Sequence, residues 1–337
     1  MDVKQLNALL TVAETGSVTR AAQLLHLVQS AVTRQVQALE DELGVQLFER
    51  TRTGMLLTEA GSRLAETARH VMTELERAEA EVRQNAGTVQ GIVAVGLLES
   101  VSDLVAEPLV ARLARTHPQV ELRLYTAFAG HLRQWLYDGT LDVALLFGIT
   151  DPSAISVTPL ATEALWAVAP PDARLSPDRP VPYAEVARHP VIAPARGNGL
   201  RTLLEEVAAR AGTTARVAIE TNSARVQKQL VAKGHGWAVL PAICVADEVS
   251  SRALSMAALD DPDAQRQLVL AMPRSRRRSA ATEVVARSLV ALLRDAAEDG
   301  RWPSVQWQAA QPSQGAAQLV PVGNGSAGRS GEGPVER

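Results

Sequence analysis

The order of short elements within the first fifty-eight residues constrains the fold more than any other feature. Apolar residues at helical spacing predict a helix that ends at Gly16 and a second helix that Ser17 caps. A tight connection leads to a third helix from Gln29 to about Leu39, and two short strands follow around an arginine-containing turn. This order is typical of a winged helix-turn-helix, which we predict as a separate domain over residues 1–58.

One face of the third predicted helix is polar and carries no acid. The i, i+3, i+4 rule places these side chains on that face: Gln29, Ser30, Thr33, Arg34 and Gln37. Arginine pairs with guanine edges and glutamine with adenine edges, and Arg50 and Arg52 of the wing can reach phosphates. A polar helix face alone is more often simply solvated, so the interpretation as a DNA-reading face depends on the whole order of elements.

The same segment resembles LysR-type transcriptional regulators. The run from Ser17 to His26, the run from Leu39 to Arg50 and the following Leu57-Thr58-Glu59-Ala60-Gly61 carry the resemblance. It implies double-stranded promoter DNA as the partner, with contacts at Gln29, Ser30, Thr33, Arg34, Arg50 and Arg52. The family usually opens its recognition helix with Ser-Gln-Pro, whereas this chain has Val28-Gln29-Ser30.

Residues 59–90 are predicted to form one linker helix. Leu64, Ala68, Val71, Leu75, Ala78 and Val82 alternate spacings of four and three, which is the pattern of a coiled-coil seam. Packing against the same chain is the alternative for an amphipathic helix. The position after the head and the family resemblance favour dimerisation, and we predict contacts at Leu64, Val71, Leu75 and Val82 in a homodimer or homotetramer.

From Gly91 onward, β-type runs alternate with helical runs, which predicts parallel sheets. With the resemblance, this implies a two-lobed α/β domain, similar to periplasmic binding proteins, over residues 91–300. Lobe I is predicted to comprise 91–160 and 266–300, and lobe II 161–265. The predicted fold class is therefore α+β multidomain, with a winged helix-turn-helix, a long linker helix and this two-lobed domain.

A small organic effector is expected between the lobes, where the carboxyl ends of the strands meet. The predicted contacts are Glu99, Ser100, Ser102, Phe147, Arg196, Asn198, Asn222 and Ser223. Ordinary helix capping explains each serine and asparagine equally well, and Arg196 is the strongest candidate. The stretch from Gly130 to Leu146 resembles the nitrogen-assimilation-control subgroup, some of whose members act without a co-inducer. A cleft without a physiological ligand therefore remains the alternative.

Composition sets the remaining expectations. No run approaches the ~20 apolar residues of a membrane span, and the N-terminus has no signal-peptide pattern, so we expect a cytoplasmic protein without a membrane partner. The only cysteine, Cys244, lies in an apolar stretch, and no nucleophile–base pair, metal-ligand cluster or cofactor motif is present, so we predict neither an enzyme nor a cofactor. Residues 301–337 are rich in Gln, Gly, Ser and Pro and are predicted to be a disordered tail.

These features together predict a regulator that binds promoter DNA as a dimer or tetramer. Ligand closure, or its absence, is expected to change the spacing of the two heads and thereby the recruitment of RNA polymerase.

Overall fold

The computed structural model describes residues 1–52, 54–82, 88–148, 154–274 and 278–308. The N-terminal head consists of α1 (Val3–Thr15), α2 (Val18–Leu24), α3 (Gln29–Leu43) and the hairpin of β1 (Phe48–Thr51) and β2 (Gly54–Leu57). The predicted winged helix-turn-helix is confirmed. α3 continues one turn beyond its predicted end and stops at Gly44, which has a left-handed φ of 68°.

The elements of the head share one apolar core. Ala21 and Ala22 of α2 are 0% and 4% exposed, and their small side chains let the neighbouring helices approach closely. The next helix, α4 (Glu59–Val82), begins against the wing. A Cβ at Gly61 would lie 2.0 Å from the carbonyl oxygen of Leu47, so only glycine allows this approach.

The first turns of α4 pack against the head, whereas later turns are more exposed. Ala65 and Ala68 are buried in the core of the head, and Leu64 is half-buried against the same core. Val71 and Leu75 lie on the same stripe of α4 as Leu64 and Ala68 but further along the helix, and they are 42% and 39% exposed. Leu64 therefore packs against the core of its own head, and its place in a dimer seam stays a prediction. The side chain of Val82 lies outside the described residues.

The regulatory part is built on strands that run through two lobes. Its strands are β3 (Gly91–Leu98), β4 (Val120–Ala127), β5 (Val143–Phe147), β6 (Ile155–Ala169), β7 (Val191–Ala193), β8 (Val217–Glu220), β9 (Ala238–Pro241), β10 (Ser255–Ala258), β11 (Gln265–Pro273) and β12 (Val305–Trp307). Its helices are α5 (Glu99–Thr116), α6 (Ala129–Tyr137), α7 (Tyr183–Ala187), α8 (Gly199–Arg210), α9 (Ala224–Ala232), α10 (Ala246–Ser250) and α11 (Ala280–Glu298).

The sheet explains how the lobes are joined. In lobe I, β3 pairs in parallel with β4 and β5, and β11 pairs antiparallel with β5. β6 pairs with β11 along its first part and with β9 and β10 along its last part, so it runs from lobe I into lobe II. Lobe II adds the parallel pair of β7 and β8. The predicted two-lobed α/β architecture is confirmed.

The C-terminal segment corrects the prediction of disorder from residue 301. β12 pairs antiparallel with β6, and Trp302 is 2% exposed in the core of lobe I. The polar composition of the region obscured the two tryptophans, whose apolar surface drives burial. The described chain is ordered as far as Gln308, and the rest of the predicted tail, 309–337, lies outside the described residues.

Trp302 also makes a buried polar contact. Its indole Nε1 donates to Oε1 of Glu163 at 2.7 Å, and the Glu163 side chain is 0% exposed. The other carboxylate oxygen accepts from Nε and a terminal nitrogen of Arg266 at 2.9 and 2.7 Å. A buried carboxylate is stable only when it is paired and hydrogen-bonded, so this cluster ties β6, β11 and the C-terminal segment together.

None of the helices in the described ranges is both long and apolar enough to cross a membrane.

We expect Trp302→Ala to lower the free energy of unfolding by about 3–5 kcal/mol, because it removes a large buried side chain and a donor to Glu163. Urea denaturation followed by circular dichroism measures this. Gln306→Ala, at an exposed position of the same C-terminal segment, is the matched control and should change stability by less than about 0.5 kcal/mol. Equal, small effects of both variants would show that the segment is not part of the folded core.

We further expect Arg266→Gln to destabilise the protein by about 3–5 kcal/mol, because it leaves the carboxylate of Glu163 buried without its cation. Glu163→Gln combined with Arg266→Gln should cost less than the sum of the single variants. The control cycle uses Glu59 and Arg63, an exposed i,i+4 pair whose coupling should be below about 0.5 kcal/mol. Additive costs at Glu163 and Arg266 would contradict the paired arrangement.

Candidate nucleic-acid interface and interlobe cavity

The predicted reading face of α3 points outward. Gln29, Ser30, Arg34 and Gln37 are exposed and Thr33 is half-buried, whereas Val32, Val36 and Leu39 on the opposite face are buried. The Thr33 hydroxyl donates to the Gln29 carbonyl at 3.0 Å, and Arg34 Nε donates to the Ser30 carbonyl at 3.3 Å. These bonds to the helix backbone leave the terminal guanidinium nitrogens of Arg34 without a partner among the described residues. They are therefore available for an external acceptor.

The wing is held in place by glycine. Met55 N donates to the Gly16 carbonyl at 2.8 Å, and a Cβ at Gly54 would lie 2.4 Å from that same oxygen. Gly54 also has a φ of 134°, which other residues rarely adopt. The contact fixes the hairpin against the connection between α1 and α2. Arg50 and Arg52 are both exposed on this fixed hairpin.

A cavity of about 500 Å³ lies between the lobes. Five of the predicted effector contacts line it: Glu99, Ser100, Phe147, Asn198 and Asn222. The strands and helices that end there bring these residues together from positions far apart in the chain. Its size is within the range of pockets that bind small organic molecules.

Three predicted contacts do not line this cavity. The Ser102 hydroxyl donates to the Glu99 carbonyl within α5, and Ser223 Oγ accepts from Val226 N as the cap of α9. Arg196 is exposed at the tip of a turn closed by a hydrogen bond from Asn198 N to the Ala195 carbonyl. The turn directs Arg196 to a second cavity of about 380 Å³, so its assignment to the interlobe site is wrong.

The two asparagines organise the wall of lobe II. Asn222 Oδ1 accepts from Ala195 N at 3.0 Å and from Asn198 Nδ2 at 3.3 Å. Asn198 Oδ1 in turn accepts from Leu200 N at 3.0 Å and caps α8. Helix capping, the alternative explanation of Asn198, is thus observed at a residue that also lines the cavity.

Arg266 is a cavity residue that the sequence analysis missed. It lines the interlobe cavity, donates to Ser100 Oγ at 3.0 Å and has its guanidinium carbon 3.5 Å from the centre of the Phe147 ring. Its charge is paired with Glu163, which is 103 positions away along the chain. No short-range pattern marks such a pair.

Glu99 crosses the space between the lobes. It begins α5 in lobe I, and its two carboxylate oxygens lie 3.4 Å from Ser223 Oγ and 3.4 Å from Ala224 N at the start of α9. A carboxylate is favoured at a helix N-terminus, where backbone N–H groups are unpaired. The chain therefore supplies its own anion at this point of the lobe II wall.

Other ionisable groups of the cavity differ in character. Arg133 and Glu206 also line it, and Arg133 has no ion-pair partner among the described residues. Burial raises the pKa of the Cys244 thiol to about 12, so this cavity-lining thiol is protonated at neutral pH. Across the described ranges, no group of three or more His, Cys, Asp and Glu side chains is arranged to hold a metal ion.

Comparisons with known proteins assign both parts of the chain to one family. Residues 3–62 match the model of the bacterial regulatory helix-turn-helix protein of the lysR family, and residues 86–296 match the LysR substrate binding domain. The chain is 29% identical to the HTH-type transcriptional regulator BbuR of Bordetella bronchiseptica over 90% of this chain and 93% of that protein.

The relatives include nitrogen-assimilation regulators without being restricted to them. The nitrogen assimilation regulatory protein nac of Klebsiella aerogenes is also 29% identical, over 72% of this chain and 78% of its own length. Among solved structures, full-length CbnR complexed with its target DNA shares the fold with a TM-score of 0.68 and 21% identity, over 87% of this chain and 100% of that chain. The chain therefore belongs to the LysR family of bacterial transcription regulators and is not an enzyme.

Proposed function

We propose that this regulator reads promoter DNA with the outward face of α3 and holds the phosphate backbone with the wing. The base contacts are assigned to Gln29, Ser30, Thr33, Arg34 and Gln37, and the phosphate contacts to Arg50 and Arg52. The observation that carries the proposal is the exposed, acid-free face of α3 beside exposed wing arginines. The N-terminal part of a recognition helix contacts base edges in the major groove, while flanking cations contact phosphates.

The active form is proposed to be a homodimer or homotetramer. Val71 and Leu75 are exposed on α4, where a partner helix can cover them. A net charge of −3 gives the chain little general attraction to DNA, so affinity depends on two heads binding together. The dimer presents its recognition helices to two half-sites, in the cytoplasm where promoter DNA is found.

The interlobe cavity is proposed to bind a small organic effector through residues that include Ser100, Phe147, Asn198 and Asn222. Binding between lobes joined by β6 and β11 changes their relative position, and with it the spacing of the heads and the recruitment of RNA polymerase. One observation favours the alternative, a regulator that needs no co-inducer. Glu99 already contacts Ser223 and Ala224 across the cleft, as a ligand carboxylate would.

The DNA-binding proposal is tested by fluorescence anisotropy with the intergenic DNA upstream of the protein's own gene, against a scrambled duplex, over a salt series. We expect sequence-dependent binding whose log–log salt slope is about −0.9 for each phosphate contact. Equal, weak binding to both duplexes would contradict the proposal.

On the same duplex, Arg34→Ala should cost about 1–3 kcal/mol and should relax the preference at one base position, because a bidentate arginine–guanine contact is lost. Arg63→Ala is the matched control, since Arg63 is an exposed arginine of α4 paired with Glu59. Full specificity in the Arg34 variant would show that the face of α3 is only solvated.

A cavity-filling variant separates the two modes of regulation. A Cβ at Gly130 has no heavy atom within 4 Å, and Gly130 lines the interlobe cavity, so we expect Gly130→Phe to fill part of the cavity. If an effector acts there, a promoter–reporter assay should lose its response to growth conditions while DNA binding by the purified variant is retained. An unchanged response would contradict effector control and support the co-inducer-independent alternative.

A further inference from the structure

The folded structure does not explain why a valine stands at position 28. It is the N-cap of α3, and its side chain makes no capping hydrogen bond. By contrast, Asp2 and Ser17 cap the other two helices of the head with side-chain oxygens. Valine is among the poorest N-cap residues because it has no acceptor for the first N–H groups of the helix.

Burial does not offset this disadvantage. The side chain of Val28 is 67% exposed, so it gains little from the hydrophobic effect in the folded chain. Its neighbours Leu24 and Leu27 are 64% and 42% exposed, so an apolar patch stands open at the connection between α2 and α3. A residue that neither caps nor packs suggests a contact outside the chain.

The position of Val28 indicates which contact this is. It directly precedes Gln29 and Ser30, at the end of α3 that a helix-turn-helix inserts into the major groove. The C5-methyl of thymine is the apolar group that an unmodified base pair presents in that groove. An exposed isopropyl group at this point can therefore read a base without a hydrogen bond.

We propose that Val28 is a specificity-determining residue that packs against the methyl group of one thymine in each half-site. The proposal depends on α3 being the DNA-reading helix, as proposed above. It assigns the substitution of an apolar residue for a capping residue to sequence recognition. The methyl contact distinguishes thymine from the other bases, and this gain in recognition offsets the loss of a capping side chain.

The test removes single methyl groups from the DNA. Binding sites are first selected from a random duplex library with the full chain, and each thymine of a selected half-site is then replaced by deoxyuridine. This replacement deletes the methyl and keeps every hydrogen-bonding group. With the wild-type chain, replacing one particular thymine of the half-site should lower the affinity for the duplex about fourfold. This is the factor that corresponds to the burial of one methyl group. Val28→Ala should bind both duplexes equally.

Two further variants separate recognition from folding. Val3→Ala shortens a valine that is 47% exposed at the start of α1 and should retain the full deoxyuridine effect. Val28→Ser restores a capping oxygen, so it should raise the midpoint of thermal unfolding and still lose the deoxyuridine effect. A merely structural role for Val28 cannot move these two readouts in opposite directions.

The outcomes that overturn the proposal are distinct from failure of DNA reading. Failure to select any site, or full specificity in Arg34→Ala, would overturn the DNA-reading role of α3 itself. Selected sites in which no thymine responds to deoxyuridine, or a response that persists in Val28→Ala, would overturn the role of Val28 alone. If Val28→Ala loses promoter activation and keeps the deoxyuridine effect, the patch of Leu24, Leu27 and Val28 binds a protein partner instead.

Discussion

The buried carboxylate of Glu163 is the interaction on which the regulatory part depends. A carboxylate with no exposed surface needs donors at both oxygens, and here one oxygen takes the indole of Trp302 and the other takes the guanidinium of Arg266. Because these partners come from β6, β11 and the C-terminal segment, the two strands that join the lobes are fixed beside each other. The same arginine also donates to Ser100 Oγ at the start of α5, so the cluster includes a residue of the cavity wall.

This pairing also determines what the cavity offers to a ligand. Arg266 faces the cavity, but its charge is largely neutralised by Glu163 and its plane lies over Phe147. A ligand carboxylate therefore gains less at Arg266 than at Arg133, which has no ion-pair partner in the described part of the chain. At the opposite wall Glu99 already approaches the first amides of α9. The charge of the cavity is therefore arranged mostly by contacts within the protein.

The features that could be predicted from the sequence are those that depend on neighbours along the chain. Helical spacing and glycine stops defined the head, and the alternation of β and α runs defined the lobes, because periodicity directly reflects a buried face. The pair of Glu163 and Arg266 could not be predicted, since nothing local connects residues 103 positions apart. The polar composition after residue 301 led to a wrong prediction of disorder, because burial of two tryptophans there stabilises an ordered segment. At Arg196 the error was geometric, because the residue lies in a turn and lines a different cavity.

α4 connects the head to the regulatory part. The helix places Ala65 and Ala68 near its start in the core of the head, whereas Val71 and Leu75, further along, are exposed. The same helix also touches lobe I, where Glu76 pairs with Arg123 at 2.9 Å and His70 Nδ1 lies 3.0 Å from Thr140 Oγ1. Head and regulatory part are therefore in contact beyond the backbone that connects them. We infer that a movement of β4 or of the segment after α6 would change these contacts, and that α4 would pass the change on to the core of the head, with which it packs.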